Sequence, residues 1–361
     1  MFELTPENAP IYLSSQPGAP AGPWQAQSLG GGVSNLVLLV RTPLTRFVLK
    51  QSLARLRVEQ EWFADRTRIH RECAAMAALA PHLPRHSVPA ILFEDRRNCV
   101  YAMEAAPDGA EDWKSLLLNS VKGAVRATKR ARNTRVTGAD GSSVLREVLK
   151  SPKGAVHPLV ACQAAEIHAA LITSSWRSSD WEKEYGDQTC FGQLRLDPYY
   201  RFTAARHPQL ADRFAQCMEA CQTRRQSLVH GDFSPKNLLV RDSRVMVIDF
   251  EVIHFGDPAF DAAFLLNHLL LKAAHLPRRA RAFAELAAVY WQSLLNSFPG
   301  SRDEFTFWTI RHLGCLHLAR VDGKSPAEYL TPSEREQVRR NALALIGSPP
   351  PRVEEIFDAY C

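Results

Sequence analysis

One stretch, residues 227–251, constrains this chain more than any other. It reads as apolar strand, polar loop, apolar strand, turn, apolar strand and acid. The strands are Ser227–His230, Leu238–Val240 and Val245–Asp249, and the loop between the first two is His230-Gly231-Asp232-Phe233-Ser234-Pro235-Lys236-Asn237. Alternating short apolar strands and tight turns deliver their polar residues to one common edge. That edge would carry Asp232, Asn237 five residues later, and Asp249 seventeen residues after Asp232. A carboxylate that orients a hydroxyl and takes its proton, beside oxygen ligands for Mg²⁺, is what phosphoryl transfer to an alcohol requires.

The chain has 361 residues, of which 46% are hydrophobic and 23% charged, enough for a two-lobed globular fold. The N-terminal third reads mostly β. Ser28–Val40 suggests strand, tight turn at Gly30, Gly31 and Gly32, and strand again, and Arg46–Gln51 suggests another strand with Lys50 near its end. Ala64–Leu79 has helical spacing and contains Glu72, and His86–Phe93 and Asn98–Met103 read as strands. From His157 the character is helical over Pro158–Ser174, Pro208–Arg224, Ala259–Lys272, Arg279–Phe298 and Glu304–Ala319. The expected architecture is α+β and bilobal. A small β-rich N-terminal nucleotide lobe spans 1–104, and a larger helical catalytic and substrate lobe spans 105–361. A basic, flexible insertion is expected at about 114–156.

HGDFSPKN followed by IDFE resembles the aminoglycoside phosphotransferase and choline kinase family, small-molecule relatives of protein kinases. The resemblance implies a kinase-like fold, Asp232 as catalytic base, Asn237 and Asp249 as Mg²⁺ ligands, and Glu251 as a further acid in the metal shell. His230 and Asp261, the latter in Gly256-Asp257-Pro258-Ala259-Phe260-Asp261, would brace the loop. Lys50 and Glu72 would form the strand–helix pair that holds the nucleotide phosphates. Gly30, Gly31, Gly32, Ser34 and Asn35 would cover those phosphates, with backbone N–H groups approaching closely because no Cβ intervenes. Met103 and Glu104 fall where the hinge to the purine lies. ATP or GTP and Mg²⁺ are the implied co-substrate and cofactor.

A patchier similarity, to methylthioribose kinases, rests on Phe47–Leu53, Arg55–Val58, Glu61-Trp62, Asp197-Pro198-Tyr199-Tyr200 and the Asp249/Glu251 pair. Those kinases carry adjacent arginines late in the chain; here Arg320 precedes Val321, so Arg320 is expected alone as a substrate contact. Residues 277–361 hold acids and bases in about equal number, which argues against a polycationic acceptor and for a neutral or anionic polyol.

The net charge of +6 lies largely in Lys122, Arg126, Lys129, Arg130, Arg132 and Arg135, a run without aromatic interleaving for base stacking. A solvated insertion fits it better than a nucleic-acid face. A protein kinase is disfavoured by the HGD loop, and a nucleotide-gated pseudokinase by the presence of Lys50, Glu72, Asp232, Asn237 and Asp249 together. Eight scattered cysteines, with Cys217 and Cys221 lacking a matching pair, fit free thiols in a reducing cytoplasm. Ala262–Leu276 is too short and polar to span a bilayer and reads as a buried helix. The start of the chain carries no signal-peptide pattern.

Overall fold

The computed structural model describes residues 2–30, 35–54, 65–119 and 158–360. The N-terminal part is a five-stranded antiparallel sheet in the order β1-β2-β3-β5-β4, with β1 Gln25–Ser28, β2 Asn35–Arg41, β3 Arg46–Ser52, β4 Ile91–Asp95 and β5 Val100–Glu104. Successive side chains of a strand point to opposite faces. Leu36, Leu38, Val40, Phe47 and Leu49 therefore pack with Leu4, Tyr12 and Leu13 around helix Ala9–Ser14. Leu39, Val48, Tyr101 and Met103 belong to the main core with Ile69, Cys73 and Met76 of helix Arg68–Leu79. Each such side chain contributes roughly 1.5–3 kcal/mol on burial. Lys50 shares the parity of Val48, so the sheet itself aims it at that helix.

The remainder is mainly helical. Helix Ala259–His275 is apolar on every side and buried along almost its whole length, as the sequence led us to expect. Helices Ala280–Asn296 and Arg302–Asp322 pack against it directly, and Pro158–Ser175 and Pro332–Gly347 form the next layer. Between these elements β7 Ser227–Val229 pairs with β10 His254–Gly256. The β8 Leu238–Arg241 and β9 Arg244–Val247 hairpin is flanked by β6 Glu111–Asp112. Its two-residue turn, Asp242-Ser243, has φ of 48° and 65°, the left-handed pair that matches the twist of a hairpin. The chain thus has the α+β, bilobal, protein-kinase-like fold expected.

Several expectations need correction. The strand predicted over His86–Phe93 begins only at Ile91, because His86 has φ 64° and Pro89 has no N–H to give a ladder. The helix predicted from Ala64 begins at Arg68, where Asp65 Oδ1 first accepts the Thr67 N–H (2.8 Å) and turns the chain. The insertion does not start at residue 114. Trp113–Asn119 is a helix anchored by buried Trp113 and Leu117, one turn apart. The rest of the insertion, including the basic run, lies outside the described residues. Gly192–Arg201 takes π-helical turns, with the Phe202 N–H reaching Asp197 O and Pro198 inside. No described helix is long and apolar enough to cross a membrane.

Candidate active site

Lys50 meets Glu72 as the strand–helix geometry requires, Nζ to Oε1 at 2.7 Å, and at the same time reaches Asp249 Oδ1 at 2.6 Å. Glu72 Oε1 also accepts the Phe250 N–H (3.0 Å), which ties the N-terminal helix to the segment carrying Asp249. Asp249 has φ 72°, a left-handed backbone rarely taken by aspartate and characteristic of functional turns. Burial works against the Lys50 charge, but Asp249 and Glu72 more than offset it and hold the amine well above its ordinary value. Burial pushes Glu72 up to about 7. It also opposes ionisation of Asp249, where Lys50 and Lys236 outweigh it and keep the acid well below the carboxylate range.

The loop after β7 turns at Gly231, φ 77°, where a Cβ would stand 2.8 Å from Val252 Cγ2 and 3.0 Å from Val252 O. Glycine is required there on both counts. The loop is braced from beneath by fully buried Asp261, which accepts the N–H groups of His230 (2.6 Å) and Gly231 (2.9 Å). His230 is also fully buried. Its Nε2 lies 3.1 Å from Ile248 O while Nδ1 accepts the Asp232 N–H at 3.1 Å, and burial lowers it to about 4, so the ring is neutral with both nitrogens committed.

Asp232 Oδ2 receives three donors, Asn237 Nδ2, Arg195 Nη2 and Lys236 Nζ, each at 2.9 Å. Its Oδ1 is left without a partner among the described residues. Burial would raise this carboxyl; Arg195 and Lys236 more than compensate and keep it below its ordinary value. Asn237 spends Nδ2 on both the carbonyl and the carboxylate of Asp232, which leaves Oδ1 as an acceptor, and its own carbonyl takes the Ile248 N–H beside Asp249 (3.0 Å). Asn237 Oδ1 and the second oxygen of Asp249 are hard oxygens that these contacts leave over, the donor chemistry that Mg²⁺ accepts.

Arg195 is the residue that sequence reasoning missed. It stands on the π-helical turns and also donates from Nε to Gly231 O and from Nη1 to Leu194 O, both at 2.7 Å. Only its separation from the motif hides it; no local pattern marks it.

Other expected residues are placed differently. Glu251 has Oε2 taken by Asn35 Nδ2 (3.0 Å) and Arg68 Nε (3.2 Å), so it braces the start of β2 instead of offering a bare carboxylate to a metal. Asn35 correspondingly points to Glu251. Gly30 is exposed, with nothing within 4 Å of an added Cβ, while Gly31, Gly32 and Ser34 lie outside the described residues, as do Arg55–Val58 and Glu61-Trp62. Met103 and Glu104 end β5, where the Glu104 N–H is used by Ala90 O (2.8 Å). Arg320 makes no direct contact with Asp232 and is bonded to Tyr199 Oη (3.3 Å), Ser325 Oγ (3.2 Å) and the Ser325 carbonyl. Cys217 and Cys221 are free thiols, and among the described residues no group of three His, Cys, Asp or Glu side chains is arranged to hold a metal. A cleft of about 480 Å³ lined by Asp65, Arg71, Asp187 and Cys190 touches this cluster only through Arg68.

The structure thus brings together a strand lysine on a helix glutamate and a second aspartate, and a loop aspartate beside an amide. The profile of the phosphotransferase enzyme family (APH) matches residues 25–300, and the chain belongs to that family of enzymes. It is 25% identical over 282 residues to methylthioribose kinase of Escherichia coli O45:K1 (strain S88 / ExPEC), covering 74% of this chain and 64% of that one. The chain therefore spans slightly under two thirds of that relative's length. Amicoumacin kinase hAmiN, solved with AMP-PNP, Ca²⁺ and amicoumacin, superposes with TM-score 0.53 at 14% identity, covering 92% of this chain and 91% of that one. A choline/ethanolamine kinase family protein from Mesorhizobium loti gives TM-score 0.51 at 15% identity over 98% of both chains. These structures share the fold.

Proposed function

We propose that this phosphotransferase moves the γ-phosphate of ATP or GTP to a hydroxyl of a small metabolite, with Asp232 as the base. The observation that carries the reading is the Asp232 carboxylate: ionised, gripped through Oδ2 by three donors, with Oδ1 open to accept from a substrate hydroxyl. As the acceptor O–H gives its proton to Asp232, its oxygen bonds to the γ-phosphorus, the bond from that phosphorus to the β–γ bridging oxygen breaks, and the nucleoside diphosphate leaves. Lys50, fixed by Glu72, would bind the α- and β-phosphates. Asn237 and Asp249 would hold Mg²⁺, which when bound draws the phosphates together and neutralises their charge. Glu251 stays outside that ligand pair because Arg68 and Asn35 occupy it. His230 and Asp261 position the loop, and Arg195 and Lys236 orient Asp232. The nucleotide lobe ends near Glu104 in this reading, with the backbone beyond it facing the purine.

Methylthioribose is the first acceptor to try, on the strength of the 25% identity over most of the chain. The deciding experiment is nucleoside diphosphate release from Mg·ATP or Mg·GTP across a panel of small alcohols, repeated with Asp232→Asn. The variant should lose on the order of 10²–10⁴ in turnover while keeping nucleotide affinity, because only the base is removed. Turnover equal to wild type would refute the assignment of Asp232.

A further inference from the structure

Cations gather beyond the catalytic loop, and of these Lys236 is paired with Asp232 while Lys272 and Arg320 have no carboxylate within ion-pair distance among the described residues. His268, half-buried on helix Ala259–His275, is held well below its ordinary value first by burial and then by Lys272, Arg320, Lys236 and Lys114. The four come from four elements: its own helix, helix Arg302–Asp322, the catalytic loop and helix Trp113–Asn119. The charges acting most strongly on His268 are all positive.

Lys272 is fully buried, yet its ammonium donates only to His268 O one turn back (3.1 Å) and faces the Tyr329 ring 5.8 Å away. No carboxylate lies within ion-pair distance of it among the described residues. Lysines are almost never buried in this way unless paired. Arg320 likewise has no carboxylate partner there, and its buried Nε has no acceptor; the buried Tyr329 hydroxyl has none either. Arg320 binds Tyr199 Oη, and Tyr199 stands on the same π-helical segment as Arg195, which pairs with Asp232 at 2.9 Å. Two guanidine and ammonium cations and a phenol, each short of an acceptor, form a site that lacks its anion.

We infer that the acceptor alcohol carries an acid group, carboxylate or phosphate, received by Arg320 and Tyr329 over the buried charge of Lys272, with its hydroxyl directed to Asp232. This rests on the phosphotransferase reading above and adds the substrate class. Neutral sugars, methylthioribose among them, would leave the cations uncompensated, so an acid-bearing acceptor should outperform methylthioribose, and polycationic acceptors would be repelled.

The test uses the full chain with Mg·ATP and acceptors matched in carbon skeleton: a neutral polyol, the corresponding amine, the carboxylic acid and the phosphate ester. One of the two acids should be the preferred acceptor, and the comparison between them identifies which. Arg320→Ala should raise KM for that acid by about ten- to a hundredfold, the value of a charge-assisted contact, with a much smaller change in KM for the nucleotide. Thermal stabilisation by each acid without nucleotide gives a readout independent of turnover, and Lys272→Met should remove it. A neutral or cationic acceptor used as efficiently as the acids would overturn the inference, as would the absence of both acid-dependent stabilisation and acid-dependent transfer. Failure of the kinase reading itself looks different: no nucleotide binding, or transfer that survives Asp232→Asn.

Discussion

Replacing Lys272 by methionine should make the unliganded protein more stable at neutral pH. The amine is fully buried on helix Ala259–His275 without a counter-ion among the described residues, and burial, aided by Lys114 and Arg320, lowers it from 10.5 to about 7. Only Asp112 pulls the other way. Because the folded value lies below the unfolded one, the unfolded chain binds more protons between about pH 7 and 10.5, and stability rises with pH through that window. The gap is worth about 5 kcal/mol at 1.36 kcal/mol per pH unit, an upper bound because buried side chains relax. Nearly all of the deficit is present at pH 7, and below that it levels off because both states are charged. Methionine keeps the volume and the unbranched shape, so the variant should lose the deficit without opening a cavity. Urea unfolding of both proteins at pH 7, 8, 9 and 10 isolates the effect, since every other titration is common to the pair. The variant should be more stable by at least about 2 kcal/mol at pH 7, with the difference shrinking toward pH 10. A methionine variant less stable at pH 7, with a difference that does not change with pH, would show that Lys272 is paired and the reasoning wrong.

Asp249→Ala should weaken Mg·nucleotide binding, measurable by calorimetry, because it removes one of two hard-oxygen ligands and a partner of Lys50; unchanged affinity would count against its role. Arg195→Met should lower kcat with little change in nucleotide KM, since it releases Asp232 Oδ2 and Gly231 O together, and added guanidinium should restore part of the rate if positioning is its role. Gly231→Ala should destabilise the fold by at least about 1–2 kcal/mol in denaturant titration from the left-handed backbone alone, before the Val252 contact is counted.

Much of the centre was legible because its residues are close in sequence or tied to a period. Asp232, Asn237 and Asp249 belong to one strand–loop–strand run whose spacing fixes their common edge. Lys50 and Glu72 followed from a strand end, the helix after it and the kinase resemblance together. The covering glycines could be read as a turn, but where they lie is outside the described residues. Glu251 was expected as a further acid in the metal shell, and its bonding was illegible because Arg68 and Asn35, which occupy it, come from distant elements.

The sequence by itself determined the alternation of strands and helices, the buried central helix and the acid-amide-acid order of the centre, since all of these depend on local spacing and side-chain polarity. Only the tertiary structure decided that Arg195, on irregular π-helical turns, grips Asp232, and that Lys272 lies inside the lobe with no acid beside it among the described residues. Both are statements about which distant charges meet and which do not. That depends on the packing of helices against one another, and no local period in the chain encodes it.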